Sequence, residues 1–511
     1  MLVLTTKQMK RAEKITNQMG IPYSEMMRNA GCAANNYVCE TFDVTNKSCV
    51  VLCGSGNNAG DGFVFAKEYY QHCKQVCVVL CGAAPQKEES IEAFQALREF
   101  PIEIIRLDQN PEHVKDKIDE ATFVVDAIYG TGFHGDLDNF IGSLVDYVNR
   151  SKLTRIALDI PSGMSADDGD FGAIYFHANI TLCFGALKPI HDIASTKARC
   201  GKIVVLDIGI TNDIIYAVYN NAVVLYGEKV IDILPKRNPT SHKGDFGKLL
   251  MICGSVGMGG AAMMATLAGL RSGAGTTTLA SVKSVTDMAA PHLMEAMTLP
   301  LEEDFFGAIS YTSINWIDDA LKDKTACLIG CGLSVTPDTK QLVYSVIKNT
   351  NCNLVLDADA LNCISSNVDI LKELKQVAII TPHIGEMARL TSLSIEEIKR
   401  DMCKTAKDFA NTYKVIVVLK GSKTVIATPE GKLYQNTTGN VGLAKGGSGD
   451  VLAGMIASFL AQGLSPQDAA ICGVYVHGYA ADILANRMST YSMLARDVID
   501  EIPYALKKMD R

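Results

Sequence analysis

The chain has 511 residues, which gives room for two or three domains of roughly 100–200 residues each. Hydrophobic residues make up 48% and charged residues 20%, with 42 Gly and 15 Pro, so the composition excludes a disordered or collagen-like chain. The formal net charge of −8 offers no long-range attraction to nucleic acid or anionic lipid. We therefore expect small-molecule ligands, with neither nucleic acid nor a membrane as partner.

The sequence also predicts where the protein works. No apolar run reaches the roughly 18 residues that span a bilayer, and the opening residues, MLVLTTKQMKRAEK, lack a basic stretch followed by an apolar one. We therefore expect a cytoplasmic protein. The 16 Cys include no C-x-x-C motif and lie mostly in apolar runs such as SCVVLC, which predicts reduced, buried thiols.

The first half of the chain predicts an α/β fold. Residues 6–38 keep helical spacing and read as two helices, and after Lys47 short β-rich runs alternate with amphipathic stretches. Apolar strands separated by helices indicate βαβ units and a parallel sheet covered on both faces. The predicted strands are 48–53, 75–81, 102–107, 122–127, 155–160, 179–184 and 202–208, and the predicted helices are 61–73, 88–99, 111–119 and 138–150.

The second half predicts another α/β domain. From 212 to 240 the pattern loosens, and LPKRNPTSHKGD is typical of a connection, so we expect domains at 1–215 and 226–511. The predicted strands that follow are 248–253, 275–281, 325–330, 353–357, 377–381, 414–419 and 423–428, and the longer helices are 260–272, 394–411, 450–462 and 466–486.

Three polar loops of the first half each follow a predicted strand: CGSGNNAGDG (53–62), DAIYGTGFHGD (126–136) and LDIPSG (158–163). The carboxyl ends of parallel strands share one edge of a sheet, so we expect Asp61, Asp126 and Asp159 to be neighbours at a ligand crevice. Taken singly, each Asp is more often a helix cap or a turn residue, but their convergence favours a site. A helix beginning near Asp61 would direct its N–H groups at a phosphate.

Together these loops resemble a known family. GSGNNAGDGF, DAIYGTGFHGD and LDIPSGMSAD are similar, in this order, to the signature segments of the YjeF N-terminal domain, the NAD(P)H-hydrate epimerases, over about residues 5–210. The resemblance implies a Rossmann-like fold that interconverts the R and S forms of hydrated NADH or NADPH and binds a potassium ion. Some members of this domain family serve as binding modules, which is the alternative for this half.

The resemblance also implies site residues. The oxygen ligands of K⁺ would be Asn58, Asp126 and Ser162, a set of low charge that suits a hard cation better than zinc. We expect Asp159 to be the acid/base group of epimerisation, with Asp61 as the second choice. The implied substrate contacts are Asn57, Asn58, Ala59, Gly60, Asp61, Gly130, Thr131, Gly132, Phe133, His134, Gly135, Asp136 and Asp159.

A second constellation lies in NTTGNVGLAKGGSGDVLAG (436–454). The glycines leave backbone N–H groups unobstructed where an apolar helix begins, which predicts an anion hole for a nucleotide phosphate. Asp450 stands in the first turn, placed to deprotonate an attacking hydroxyl. A capped helix with a flexible lead is the alternative for this motif alone. His383 alone would more often be a capping residue, and Lys420 alone a solvated turn residue.

HKGDFG, CGSVGMGGAA, TPHIGE, KGSKT and AKGGSGD, in this order, resemble the YjeF C-terminal domain, the ADP- or ATP-dependent NAD(P)H-hydrate dehydratases, over about residues 226–505. That family has a ribokinase-like fold. One departure is Met258-Gly259-Gly260, where Met-Pro-Gly is common. The resemblance implies that hydrated NAD(P)H contacts Ala261, Gly332, His383 and Asp450. It implies that the adenine nucleotide contacts Lys420, Gly421, Ser422, Lys423, Thr424, Asn440, Val441, Gly442, Leu443, Ala444, Lys445, Gly446, Gly447, Ser448 and Gly449.

The two implied activities complement each other. A dehydratase that accepts only one epimer can use the whole substrate pool only if an epimerase converts the other epimer into that form. We predict a bifunctional repair enzyme whose small-molecule substrates are hydrated NADH (NADHX), hydrated NADPH (NADPHX) and ADP or ATP. The expected cofactors are K⁺ at the epimerase site and Mg²⁺ with the nucleotide, and we expect a homo-oligomer. The alternative is a ribokinase-like small-molecule kinase with a non-catalytic N-terminal binding module.

Overall fold

The structure, a computed structural model, describes residues 2–73, 75–225 and 227–510. The chain separates into two units, Met1–Tyr219 and Asn220–Arg511. Of the ten residues between the predicted domains, residues 216–219 belong to the first unit and residues 220–225 to the second.

The described residues of the first unit form a seven-stranded sheet in which all neighbouring strands run parallel. Its strands are β1 (Ser48–Cys53), β2 (Gln75–Leu80), β3 (Glu103–Arg106), β4 (Phe123–Ala127), β5 (Thr154–Leu158), β6 (Ile180–Phe184) and β7 (Lys202–Leu206). They lie in the order β3-β2-β1-β4-β5-β6-β7. Because β1, β4, β5 and β6 are neighbours, the loops that follow them leave the same edge of the sheet.

The helices of the first unit begin where the sequence offers caps. Asp138 accepts hydrogen bonds from the N–H groups of Phe140 and Ile141, and Pro111 occupies the first turn of its helix. The central strands are buried along nearly their whole length, as a sheet covered on both faces requires. The helices are α1 (Thr6–Gln18), α2 (Tyr23–Thr41), α3 (Asn57–Tyr69), α4 (Glu88–Leu97), α5 (Pro111–Asp119), α6 (Asn139–Arg150), α7 (Ala194–Lys197) and α8 (Asn212–Tyr219), with a 3₁₀ helix at Pro189–His191.

The second unit contains a ten-stranded sheet, counted over its described residues. Its strands are β8 (Val223–Val224), β9 (Lys248–Ile252), β10 (Thr276–Val282), β11 (Met297–Leu301), β12 (Ala326–Ile329), β13 (Asn353–Leu356), β14 (Ile379–Ile380), β15 (Ile416–Leu419), β16 (Val425–Ala427) and β17 (Leu433–Gln435). They lie in the order β11-β10-β9-β12-β13-β14-β15-β16-β17-β8. Only β16 runs antiparallel to its two neighbours among the described pairs.

The helices of the second unit are α9 (Gly227–Ile231), α10 (Gly259–Arg271), α11 (Lys283–Ala289), α12 (Ile314–Leu321), α13 (Pro337–Asn349), α14 (Asp359–Ile364), α15 (Ile384–Thr391), α16 (Ile395–Arg400), α17 (Met402–Tyr413), α18 (Ser448–Ala461), α19 (Pro466–Ala485) and α20 (Ala495–Met509). Short 3₁₀ helices lie at Lys243–Phe246, Tyr311–Ser313, Val368–Glu373 and Val441–Leu443.

A glycine lets α10 and α18 pack closely in the second unit. A Cβ added at Gly454 would lie 2.2 Å from the carbonyl oxygen of Ala265, so only a residue without a side chain fits. Helix α18 is buried from Val451 to Ala461, which places it in the interior of its unit. This packing fixes the start of α18, where the predicted anion hole lies.

The predicted fold class, α/β with parallel sheets, is confirmed, while three local predictions are wrong. Helix α3 begins at Asn57 and not near Asp61, because the glycine-rich loop ends one turn earlier. The predicted helix 394–411 is interrupted at Asp401, whose side chain caps α17. The predicted connection over 212–240 contains α8, α9 and β8, and β8 pairs with β17.

The cysteines agree with the prediction of reduced, buried thiols. All 16 Cys are free, and all except Cys32, Cys39 and Cys73 are buried, as predicted. Among the described residues, the helices are all too short or too polar to cross a membrane.

Candidate functional sites

Asn58 joins three loops of the first unit. It lies in the first turn of α3, and its Nδ2 donates to the carbonyl oxygens of Tyr129, after β4, at 2.8 Å and of Leu158, which ends β5, at 3.2 Å. Gly130 comes so close that a Cβ there would lie 3.3 Å from the Cβ of Asn58. The three predicted loops therefore meet at one edge of the sheet.

Asp126 and Ser162 form the buried floor of this junction. Ser162 donates to Asp126 through Oγ at 2.6 Å and through its N–H at 2.7 Å, and the N–H of Ile128 donates to Asp126 at 3.1 Å. Burial raises the pKa of Asp126 to about 6, although the hydrogen bonds from Ser162 act in the opposite direction. A cation at this carboxylate would favour its ionised form.

The donor set here fits a hard cation. Asp126 and Ser162 supply a carboxylate and a hydroxyl oxygen, and the carbonyl oxygens of Tyr129 and Leu158 lie within hydrogen-bond distance of the Asn58 amide. Asn58 presents its amide nitrogen to those carbonyls. For Asn58 to be a ligand, as predicted, its amide must turn so that the oxygen faces the cation.

Asp159 is held by the loop that follows β6. Its φ is 64°, a left-handed conformation that is uncommon for a residue other than glycine. Its N–H donates to Leu182 O at 2.8 Å, and its Oδ1 accepts from the N–H of Phe184 at 3.1 Å and from the ammonium of Lys188. Lys188 is 1% exposed, and its Nζ also donates to Phe184 O at 2.8 Å.

Two further carboxyl groups act on this pair. Burial raises the pKa of Asp61 well above its ordinary value, and the charges of Asp159 and Glu13 raise it further, against the effect of Lys188. Burial also raises the pKa of Glu13, in α1, to about 7. The structure therefore brings Asp61 and Asp159 together, whereas the described hydrogen bonds of Asp126 go to Ser162 and Ile128.

The remaining predicted substrate residues of the first unit lie in α3 and in the loop that follows β4. Asn57 is exposed at the start of α3, while Ala59 and Gly60 are buried in it. The ring of Phe133 packs on that of Tyr129, with centroids 4.7 Å apart. The other members of this loop, which are half-buried or exposed, are Thr131, Gly132, His134, Gly135 and Asp136.

The second unit also holds a buried aspartate–lysine pair. Asp357, which follows β13 and is 1% exposed, accepts hydrogen bonds through Oδ1 from Lys420 Nζ at 2.8 Å and from Thr381 Oγ1 at 2.7 Å. Asp450, in the first turn of α18, lies next to it. Ligand atoms of Asp357, Asp450 and Cys331 lie within 4.8 Å of one another.

The charges of this cluster are coupled. Burial and the Asp357 charge raise the pKa of Asp450 to about 6, while Cys331 and Lys420 act to lower it. Burial acts to lower the pKa of Lys420, but the charges of Asp357 and Glu386 and the hydrogen bond to Asp357 together outweigh burial and raise that pKa. A hydrogen bond from Cys253 and burial raise the pKa of Cys331, so its thiol stays protonated. The two carboxylates therefore offer oxygen ligands, which fit Mg²⁺.

The glycine-rich loop places its N–H groups beside this cluster. Gly447 precedes α18 with φ of 93°, and a Cβ on Gly446 would meet nothing within 4 Å. A Cβ on Gly449 would lie 3.3 Å from Lys420 Nζ, so the ammonium lies over the start of α18. A helix start with open N–H groups and a nearby ammonium is an anion site.

Asp482, in α19, holds the beginning of the same loop. Its carboxylate accepts from the N–H of Gly439 at 2.8 Å and from Asn440 Nδ2 at 3.0 Å. Asn440 in turn accepts from the N–H of Gly442 at 3.0 Å. Lys445 points elsewhere, since its Nζ donates to Tyr491 O at 2.7 Å.

The residues that the resemblance assigns to hydrated NAD(P)H lie in two places. A Cβ on Gly332 would lie 3.0 Å from the Cβ of Ala261, so these two residues are in contact. His383 caps α15, with its Nδ1 accepting from the N–H of Gly385 at 2.9 Å, as the simpler alternative for this residue expects. Its backbone also pairs with that of Lys420, which keeps the imidazole near the cluster.

A cavity adjoins both glycine-rich segments of the second unit. It has a volume of about 520 Å³, and Gly260, Gly446 and Arg496 are among the residues that line it. Its other walls are mainly apolar side chains from α10 and α20, such as Met263 and Ile499. Pockets of this size and character bind small molecules in many proteins.

Three residues of these sites are missing from the sequence predictions: Lys188, Asp357 and Asp482. Lys188 follows the predicted strand 179–184, and Asp357 ends the predicted strand 353–357. The carboxyl-end rule that identified Asp61, Asp126 and Asp159 applies to both. Asp482 lies inside a helix, and no local pattern marks it.

Comparison with known proteins assigns the chain to a family. The family model described as YjeF-related protein N-terminus matches residues 23–190, and the model described as NAD(P)H-hydrate dehydratase matches residues 249–504. A solved structure of the ADP/ATP-dependent NAD(P)H-hydrate dehydratase from Bacillus subtilis, co-crystallised with ATP and Mg²⁺, is 33% identical, with a TM-score of 0.51, and covers 57% of this chain and 99% of its own. A ribokinase-like superfamily protein from Enterococcus faecalis is 28% identical, with a TM-score of 0.50, and covers 57% of this chain and 96% of its own.

Two curated relatives extend over both units. The bifunctional NAD(P)H-hydrate repair enzyme of Moorella thermoacetica is 32% identical over 100% of this chain and 97% of its own length. The enzyme of the same description from Escherichia coli is 34% identical over 95% of this chain and 90% of its own. Matches over nearly the full length of both proteins favour the two-activity enzyme over the kinase alternative. The chain therefore belongs to the family of bifunctional NAD(P)H-hydrate repair enzymes.

Proposed function

We propose that the chain repairs NADHX and NADPHX in two steps. The first unit interconverts their R and S epimers, and the second unit restores NADH or NADPH from the S epimer at the expense of ADP or ATP. One observation carries this proposal: each unit holds a buried aspartate–lysine pair at the carboxyl edge of its sheet, beside a glycine-rich helix start.

Epimerisation requires proton transfer at a carbon that carries both a hydroxyl and a ring nitrogen. A C6–O bond must break on one face of the ring, with a proton given to the leaving oxygen. Water then adds on the other face and gives up a proton. Asp159, which is ion-paired with Lys188, would act as the base, and Asp61, with its raised pKa, as the acid.

Potassium would be held by Asp126, Ser162 and the turned amide of Asn58. When bound, it would supply a fixed positive charge that offsets Asp126 and orders the loops that meet at Asn58. The donor set of carboxylate, hydroxyl and amide oxygens supports this assignment.

Dehydration would begin with proton transfer to Asp450. The C6 hydroxyl loses its proton to this carboxylate and attacks the terminal phosphoryl group of the nucleotide, which leaves one phosphate shorter. The ring nitrogen then expels the phosphate from C6, and loss of a proton from C5 restores the dihydronicotinamide. The oxygen of the departing water thus ends in inorganic phosphate.

Lys420 and the glycine-rich loop would stabilise the charge that develops in this step. The ammonium and the backbone N–H groups of Gly446, Gly447 and Gly449 lie where the phosphates would bind. Mg²⁺, held by the phosphates and by an oxygen of Asp357, would offset the remaining phosphate charge and leave Asp450 free to act as the base. We further propose that the chain works as a homo-oligomer in the cytoplasm.

Recovery of absorbance at about 340 nm, the band of reduced nicotinamide, tests both steps. The purified chain is mixed with R and S NADHX, a nucleotide, Mg²⁺ and K⁺. We expect full recovery in the wild type, recovery limited to the S fraction in Asp159→Asn, and none in Asp450→Asn. Replacing K⁺ by choline should slow conversion of the R fraction alone. Phosphorylation of another small alcohol without any recovery would instead establish the kinase.

A further inference from the structure

Lys188 is a buried cation that neither the family comparison nor the proposed proton transfers assign a role. Its side chain is 1% exposed, and its ammonium is bound by Asp159 Oδ1 and by the carbonyl oxygen of Phe184 at 2.8 Å. Burying a charged lysine is unfavourable unless it is paired and hydrogen-bonded, and an apolar residue of similar size would avoid that loss. A buried pair of this kind at a ligand crevice is therefore a candidate for function.

The hydrogen bonds around Asp159 indicate that Lys188 helps to hold this carboxylate in place. All described hydrogen bonds of the Asp159 side chain use Oδ1, and its backbone N–H donates to Leu182 O, so β6 and Lys188 in the loop after it together hold the residue in its left-handed conformation. The N–H of Lys188 donates to the imidazole Nδ1 of His191 at 3.1 Å, which fixes the lysine backbone in turn. Within the described residues, Asp159 Oδ2 takes no hydrogen bond.

The charges near Lys188 are mainly acidic. Asp159 and Glu13 raise its pKa against the effect of burial, and Lys188 opposes the raised pKa of Asp61. The Lys188 ammonium thus offsets the charges of three carboxyl groups from three segments of the first unit, and Lys10 adds to its effect on Glu13. Without Lys188, the repulsion among these carboxyl groups would act on the position of Asp159.

We propose that Lys188 is a positioning residue of the epimerase, which fixes Asp159 through Oδ1 so that Oδ2 faces the hydrated nicotinamide ring. This inference rests on the proposed function of the first unit. Lys188 does not contact the substrate, since its ammonium is enclosed by the loop after β6 and by Asp159. It acts on the reaction through the carboxylate that it holds.

A kinetic cycle tests this role in the full-length chain. The variants are Lys188→Met, Asp159→Asn and the double variant, assayed for conversion of R to S NADHX with the dehydratase reaction as the coupled readout. We expect Lys188→Met to lower the epimerase kcat about 100-fold with KM within about threefold. The double variant should be no slower than Asp159→Asn alone, because Lys188 acts only through Asp159.

Charge rescue separates positioning from simple filling of space. Lys188→Arg keeps the charge and should recover part of the kcat that Lys188→Met loses, if both chains show the same thermal unfolding. Lys197→Met, an exposed lysine of α7, is the matched control and should leave kcat unchanged. Lys188→Met alone leaves the Asp159 carboxylate unpaired and could fail to fold for that reason. The double variant leaves neither charge unpaired, so its comparison with Asp159→Asn still tests whether Lys188 acts only through Asp159.

Two outcomes would overturn the inference. One is a double variant much slower than Asp159→Asn, which would mean that the two residues contribute independently. The other is a Lys188→Met chain with wild-type kcat. A wild-type chain that dehydrates S NADHX but never converts the R epimer would instead refute the proposed epimerase function.

Discussion

The two aspartate–lysine pairs of the chain have the same chemistry but differ in what they expose. In the first unit the lysine is enclosed and the carboxylate lies at the crevice, with side-chain exposures of 1% for Lys188 and 12% for Asp159. In the second unit the order is reversed, with 18% for Lys420 and 1% for Asp357. The exposed member of each pair is the one that the proposed reaction needs.

This difference shows how the same aspartate–lysine pair can serve two different proposed reactions. The proposed proton transfer at C6 calls for a carboxylate in a fixed position, and the enclosed Lys188 holds Asp159 through Oδ1. Phosphoryl transfer calls for a cation that faces the phosphates, and the enclosed Asp357 holds Lys420 in that orientation. Both pairs lie at the carboxyl edge of a parallel sheet, where loops from distant parts of the chain meet.

The sharpest test of the comparison is Lys420→Met. It removes the ammonium that faces the anion site, so the dehydratase kcat should fall about 1000-fold. The epimerase rate should stay unchanged, because the other pair is untouched. Both rates are measured on the same preparation, with the Asp159→Asn chain added as the coupling dehydratase when the epimerase is assayed. Lys432→Met, an exposed lysine of the neighbouring β16–β17 turn, should lose neither activity. A dehydratase that kept its rate in Lys420→Met would break the comparison.

The second test concerns stability. Lys188→Met leaves Asp159 unpaired and should destabilise the first unit by about 3 kcal/mol. Lys420→Met should destabilise the second unit by at least as much, because the carboxylate that it leaves unpaired, Asp357, is the more buried of the two. Urea unfolding followed by far-UV circular dichroism and by the fluorescence of Trp316, which lies in the second unit, separates the two contributions. Adding Asp159→Asn to Lys188→Met should recover part of the loss. A clearly smaller loss of stability in Lys420→Met than in Lys188→Met would contradict this burial argument.

The third test is the pH dependence of dehydration. Asp450 must be ionised to act as a base, and its pKa is raised to about 6, so kcat/KM should fall about tenfold per unit below pH 6. Because this pKa lies above the ordinary 3.8, the protonated carboxyl stabilises the fold below about pH 4, and that contribution is lost as the pH rises through 6. Lys420→Arg should keep the midpoint of the profile near 6. A profile that stayed flat down to pH 5 would exclude Asp450 as the base.

Much of the fold and part of each site could be predicted from the sequence, for a physical reason. Buried parallel strands read as continuous apolar runs, and polar residues after them mark the carboxyl edge, so the loops that carry Asn58, Asp126, Asp159 and Asp450 were located correctly. The presence of an epimerase domain followed by a dehydratase domain was predicted from the resemblance of their motifs to the two YjeF families.

The rest depends on tertiary contacts. The carboxyl-end rule places Lys188 and Asp357 at the sheet edge but does not show what they bind. A lysine usually extends its charge to water, and the position of Asp159, directly after the neighbouring strand β5, explains the burial of Lys188. Asp357 likewise acquires its role from Lys420, which lies 63 residues away in the chain. Strands of two residues, such as β8, are too short to show a period.

The pairing of β8 with β17 bears on how the second unit can be prepared alone. A chain that began at residue 226, the predicted start of the second domain, would lack Val223 and Val224 and would leave Leu433–Gln435 at the edge of the sheet. Open edge strands pair with other chains and promote aggregation. Expression of an isolated dehydratase should therefore begin at Asn220, where the second unit begins, so that its last strand keeps a partner.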